Sequence, residues 1–324
     1  MKRFFQVLGL LTIITNLNAQ QERQVSQFMF DHISINPAYA GSYDMITASA
    51  ILRQQWFGFG DGTPRDIILN LDAPFKLFKK NHGVGLSIYS DNLGFNEDIN
   101  LSLSYAFQIN LGDGKLGIGL GGGFVNRKLV DPVWIFGSGP ENDNTDPTVP
   151  TGKQNEFIFD MSAGIFYKTD ELYVGVSSTH LLEDEFIYQS ETVGSTTTTS
   201  TANDQLLRHY YLTAGYNLQL SNPAFEFMPS LLVGSDGRTS RIDLNSVFRY
   251  NKKIWAGVSY RVGNAIVGMA GLEILNGVRI GYAYDFETTD LIGFQKGSHE
   301  IMVSYAFKVG VEKASQKYKS IRFL

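Results

Sequence analysis

Ile99-Asn100-Leu101-Ser102-Leu103-Ser104-Tyr105-Ala106-Phe107-Gln108-Ile109 is the stretch that decides the fold. Its odd positions are large and apolar and its even positions small or polar, the period-2 signature of a strand with one greasy and one wet face. The pattern returns at Val278, Ile280, Tyr282, Tyr284 and Phe286 against Arg279, Gly281, Ala283 and Asp285. It returns again at Ile301, Val303, Tyr305 and Phe307 against Glu300, Met302, Ser304 and Ala306. A soluble β-sandwich would alternate too, but its outward face would be charged, whereas this polar face is rich in Gly, Ser and Ala. Arg279, Asp285 and Glu300 are therefore expected to point into a lumen while the apolar set meets lipid.

Working outward, the pattern predicts strands over 43–55, 66–75, 82–91, 97–109, 115–127, 156–169, 171–179, 205–220, 224–234, 239–250, 253–262, 265–275, 277–286 and 298–308. The fold class is all-β, a transmembrane antiparallel β-barrel of about fourteen strands over residues 43–308. Each segment is near the length that crosses a bilayer at a tilt, and closure leaves no unpaired backbone in lipid. An even strand count puts both termini on one side, expected to be the periplasm. Counted from there, the connections 56–65, 128–155, 180–204 and 287–297 share one parity, as the long external loops of such barrels do. The turns at 76–81, 110–114, 170, 221–223, 251–252 and 276 fall on the other.

The amino terminus predicts a signal peptide over residues 1–19. Lys2 and Arg3 precede the apolar stretch Phe4–Ile14, and Leu17-Asn18-Ala19 offers a cleavage point before Gln20. The stretch is too short for a spanning helix and is interrupted by Gln6. The formal charge is −5, or −7 without Lys2 and Arg3, which speaks against a nucleic-acid partner. Cys is absent, which excludes disulfides, thiolate metal sites and a Cys nucleophile. His32, His82, His180, His209 and His299 lack metal-ligand spacing. The glycines at 117, 119, 121, 122 and 123 are not followed by a phosphate-loop Lys; with Leu116, Ile118 and Leu120 alternating across them, they read as the small lumen-facing positions of a strand. No motif marks a nucleophilic Ser, so an enzyme is not expected, and neither is a cofactor. Asn142-Asp143-Asn144-Thr145-Asp146 has oxygen ligands but lacks the Gly and Glu of a calcium loop.

Three pieces lie outside the expected barrel. Residues 20–42 form a polar leader, read as extended, that either plugs the lumen or hangs in the periplasm. The 180–204 loop is acidic and contains the low-complexity run Ser195–Thr201, and residues 309–324 form a basic, periplasmic tail with Lys313, Lys317, Lys319 and Arg322.

The leader and first strand carry the most specific words of the chain. They are Ser26-Gln27-Phe28-Met29-Phe30, then Ile35-Asn36-Pro37-Ala38-Tyr39-Ala40-Gly41-Ser42, then Leu52-Arg53-Gln54-Gln55-Trp56 with Gly58 and Gly62-Thr63-Pro64. Gly83-Val84-Gly85-Leu86-Ser87-Ile88 with Asp91 and Gly94 follows. This series resembles the PorP/SprF family of the Bacteroidota type IX secretion system, with Phe28 in place of the usual Tyr and Asp31 in place of the usual Asn. The resemblance implies an outer-membrane component that supports export or surface attachment of particular cargo, often a large adhesin, in some members linked to gliding motility. It implies secretion subunits or cargo as partners and protein binding in place of covalent chemistry. Asn36, Pro37, Ala38, Tyr39, Gly41, Arg53, Gln55 and Trp56 are the candidate residues, structural or partner-binding. From the residues alone, Pro37 and Gly41 read as a fixed turn into the first strand, and Arg53 and Trp56 as a rim charge and an aromatic-belt residue. The competing readings are a fourteen-stranded channel for hydrophobic or small solutes and, more remotely, a barrel enzyme.

Overall fold

The computed structural model describes residues 23–130, 154–187, 204–275 and 277–308. The signal peptide, the calcium-like stretch Asn142–Asp146, the Ser195–Thr201 run and the 309–324 tail lie outside the described residues.

Fourteen strands close a barrel: β1 (Ile46–Gln54), β2 (Arg65–Leu77), β3 (Lys80–Leu93), β4 (Asn96–Leu111), β5 (Gly114–Leu129), β6 (Gln154–Lys168) and β7 (Leu172–Thr179), then β8 (His209–Tyr216), β9 (Phe225–Ser235), β10 (Ser240–Tyr250), β11 (Ile254–Arg261), β12 (Ala265–Leu275), β13 (Val278–Glu287) and β14 (Ser298–Phe307). Each pairs antiparallel with its sequence neighbours, and β1 pairs with β14 from Ile46↔Phe307 to Gln54↔His299, which removes the sheet edge. The opening stretch lies in β4 and obeys its alternation: Leu103 is 60% exposed on the outer face while Ala106 is fully buried on the inner one. The outer face carries the apolar band that lipid requires, from Leu52, Leu69 and Leu71 through Leu120 and Ile165 to Val303. Aromatic clusters flank the band: Phe75, His82, Tyr105 and Phe107 near one rim, and Phe57, Tyr282, Tyr284 and His299 near the other.

Strand boundaries differ from the sequence expectation where a turn or the leader intervenes. The β2–β3 turn is only Phe78-Lys79, both at positive φ, a pair whose twist matches the flanking strands. β1 starts at Ile46 because Tyr43 is still part of the leader, under the Lys168 ammonium at 3.7 Å. β8 starts at His209 because Asp204–Gln205 pairs instead with Glu185–Phe186 in a short ribbon above the barrel wall. From that ribbon Phe186 inserts against Val125, Ile158 and Leu206 at the long-loop end of the lumen.

Candidate functional site: the leader inside the barrel

The leader is not extended. It forms three tight turns, Phe28–Phe30, His32–Ile35 and Pro37–Tyr39, laid against inward-facing residues of the wall. Pro37 occupies the first position of its turn, and the Asn36 side-chain oxygen accepts the Ala38 N–H at 3.0 Å, so the Asn-Pro pair caps and fixes the turn. Gly41 sits at φ +66°, where a side chain would be strained. Three apolar groups anchor the segment. Val25 joins Ile51, Ile68 and Trp255; Phe28 joins Tyr211 and Leu232; Ile33 and Ala40 join Ala106.

The wall is shaped for this backbone. A Cβ added at Gly83 would lie 1.9 Å from the Ala40 carbonyl oxygen, and one at Gly119 would lie 2.3 Å from the Ala38 nitrogen. The Gly-rich runs of β3 and β5 are therefore the seat of the leader turn, which explains why the Asn-Pro-Ala-Tyr-Ala-Gly stretch and the Gly83-Val84-Gly85 stretch occur together. Gln108 Nε2 donates to the carbonyls of Ala38 (3.2 Å) and Ala40 (2.7 Å), Asn36 Nδ2 donates to Ile165 O (3.1 Å), and Ser177 Oγ donates to Ile35 O (2.7 Å). Tyr39 completes an aromatic group with His32 and Phe166.

Arg53, Gln55 and Trp56 share a role that their sequence positions hid. Arg53 is not a rim charge: it is 2% exposed and donates to Asp285 (2.7 Å), Glu300 (3.3 Å) and Ser26 Oγ (2.8 Å). Gln55 donates to Asp66 at 3.3 Å, and Trp56 hydrogen-bonds Glu287, an inward residue, so its indole turns toward the lumen and away from the lipid belt. Each of the three thus engages inward acids at the long-loop end. The physical reason is that the lumen carries five buried carboxylates there, Asp66, Asp243, Asp285, Glu287 and Glu300, which are costly without partners. Arg261 bridges Asp243 (3.0 Å) and Asp285 (3.1 Å), and Glu300 accepts the backbone N–H groups of Ser26 and Gln27, both at 2.8 Å. Breaking such a buried network by removing one partner costs about 3–5 kcal/mol.

Beside this end, Arg23 stacks over Tyr89 at 4.1 Å and lies near His209 and the β9–β10 turn. In that turn Asp236 is held below the usual carboxylate range: burial opposes ionisation, but the Thr239 and Arg238 backbone N–H groups outweigh it.

The short-turn end is different. A cavity of about 500 Å³ opens there, floored by Met29, Phe30, Met228 and Trp255 and rimmed by Lys168, Lys252 and Lys253. Three of the lining residues, His32, Asn245 and Trp255, each carry a buried side-chain polar atom, Nδ1, Oδ1 and Nε1, with no hydrogen-bond partner. Among the described residues no three His, Asp or Glu are grouped to hold a metal ion. The cavity was not foreseen, because its walls come from the leader and six or more strands; the unpaired inward Trp255 and Asn245 give no local signal. Arg241, Asp243 and Arg261 were missed by the sequence reading; alternation along their strands is the signal that could have placed them inward, and it says nothing of their pairing.

Fold and site together define an outer-membrane β-barrel whose lumen is occupied by its own amino-terminal leader. The chain belongs to the type IX secretion system membrane protein PorP/SprF family, whose model matches residues 17–305. Neither that family nor this fold is an enzymatic one. No curated protein matches the chain. Solved barrels are similar only in outline. Omp33 of Acinetobacter baumannii is 8% identical with a TM-score of 0.45, covering 82% of this chain and 98% of its own. The toluene transporter TbuX of Ralstonia pickettii is 11% identical with a TM-score of 0.47, covering 84% and 92%. A TodX deltaS2S3 mutant monoaromatic hydrocarbon channel is 11% identical with a TM-score of 0.44, covering 82% and 90%. Similarity at that level transfers no transport activity to this chain.

Proposed function

We propose that the protein supports export or cell-surface attachment of particular cargo by binding protein partners, either secreted cargo such as a large adhesin or subunits of the secretion machine, and performs no covalent chemistry. The long loops face the cell exterior and the start of β1 and the end of β14 face the periplasm, so the cavity at the short-turn end is open to periplasmic partners. The observation that carries this reading is the asymmetry of the lumen. Its long-loop half is closely packed, with Asp285, Ser298 and Glu300 at 0% exposure, whereas its other half holds the cavity. A conducting channel keeps its charged constriction open to solvent, so a fully buried network favours binding over solute flux.

The cavity chemistry suits a peptide segment. Its apolar floor of Met29, Phe30, Met228 and Trp255 accepts side chains. The lining sets Lys168, Arg249, Lys252, Lys253 and Arg279 against Asp170, Glu171 and Glu273, a net positive balance that favours an acidic stretch. The test is deletion of the gene followed by quantitative comparison of surface and secreted proteins. Loss of one or a few large proteins is expected for a cargo-dedicated copy, and loss of all type IX cargo for the copy serving the core machine. Unchanged export would overturn the proposal.

A further inference from the structure

The leader crosses the whole lumen once, and its direction is fixed at both ends. Tyr43 and Asp44 lie at the short-turn end, beside Lys168 and Lys115, the latter ion pair at 2.7 Å. Arg23 lies at the opposite end, against Tyr89 and within reach of the β9–β10 turn. Wall side chains hold the upper part by its backbone: Arg241 donates to the Val25 carbonyl at 2.6 Å, and Glu300 accepts the N–H groups of Ser26 and Gln27. With cleavage after Ala19, only Gln20, Gln21 and Glu22 precede Arg23. Three residues reach at most about 10 Å, well short of the roughly 25 Å apolar band of such a barrel. Whatever conformation those three adopt, the terminus cannot return to the short-turn end.

We infer that the mature amino terminus is displayed at the long-loop face, across the membrane from the start of β1 and the end of β14. This departs from the expectation that both termini share one side, which follows from strand parity alone and ignores a leader threaded through the barrel. The leader is then a transluminal strap, and a partner that contacts the amino terminus approaches from the long-loop side.

Single cysteines in this Cys-free chain test the inference in intact cells with a membrane-impermeant maleimide. Gln21→Cys is compared with Arg238→Cys in a long-loop-side turn and Asp113→Cys in a short turn. Heat-modifiable electrophoretic migration checks that each variant folds, and Gln20→Cys serves as a second probe of the same terminus. Gln21→Cys and Gln20→Cys are expected to label under the same conditions as Arg238→Cys and unlike Asp113→Cys. Labelling that follows Asp113→Cys, or no labelling of the folded protein under either condition, would overturn it. The comparison with the two turns makes the result independent of which face is external and of the secretion role.

Discussion

Gly119→Ala tests the seating of the leader with a single methyl group. The added Cβ would meet the Ala38 nitrogen at 2.3 Å and the Ala38 Cα and Pro37 carbonyl carbon at 2.5 Å, all backbone atoms with no side chain to swing away. Gly122, three residues along the same strand, has nothing within 4 Å of its own ideal Cβ, so Gly122→Ala controls for the intrinsic cost of the exchange. Overpacking of a rigid contact costs about 1–3 kcal/mol, which at about 1.4 kcal/mol per tenfold increases the unseated leader population by about 5- to 150-fold. Ser42→Cys is a suitable reporter, because Ser42 is 2% exposed and its hydroxyl has no hydrogen-bond partner to lose. Thiol modification in the purified, lipid-embedded protein then reads the unseated fraction. Gly119→Ala is expected to accelerate labelling by that factor, and Gly122→Ala by less than about twofold. Equal rates in both variants would refute the claim that the β5 glycines form the seat.

Arg53→Met should destabilise the barrel by about 3–5 kcal/mol in urea titrations in lipid vesicles, since it leaves Asp285 and Glu300 short of a buried cation; a cost below about 1 kcal/mol would show that the network is dispensable. Gln108→Ala removes both hydrogen bonds to the leader turn, with an expected loss of about 1–3 kcal/mol in the same assay. Lys115→Ala, which breaks an ion pair whose carboxylate is 77% exposed, should change stability by less than about 1 kcal/mol. Lys253→Glu, on the exposed rim of the cavity, should leave stability within about 0.5 kcal/mol while reducing co-purification of the bound partner, and unchanged recovery would remove the rim from the binding site.

The barrel was legible because its signal is local. Alternation in Ile99–Ile109 and its repeats depends only on which face each residue meets, so strand number, order and the lipid face could be read without knowing any contact. Glu300 and Asp285 were correctly placed in the lumen for the same reason. What the alternation could not convey is which inward residues meet. Arg53 at a strand end looks like a rim charge until the 274-residue separation between Ser26 and Glu300 is closed by the barrel. The leader looked extended because its polar residues outnumber any apolar period, yet Val25, Phe28 and Ile33 bury against three different parts of the wall. Pro37 and Gly41 were readable as a turn, since both act through their own backbone. The glycines of β3 and β5 were readable as small lumen positions, but the chain they accommodate lies 40 or more residues upstream, and no spacing rule connects the two. The cavity was invisible for the same reason: it exists only between the leader and strands drawn from across the chain.

The central claim is that this barrel binds a protein partner at the cavity on its short-turn end. Site-specific photo-crosslinking in living cells tests it most directly, with the photoreactive amino acid at position 253 on the cavity rim and, as control, at position 120 on the lipid-facing surface. The account predicts a discrete adduct from position 253 that contains a type IX cargo protein or secretion subunit, and none from position 120. Folded, membrane-inserted protein that yields no protein adduct from position 253 would contradict it.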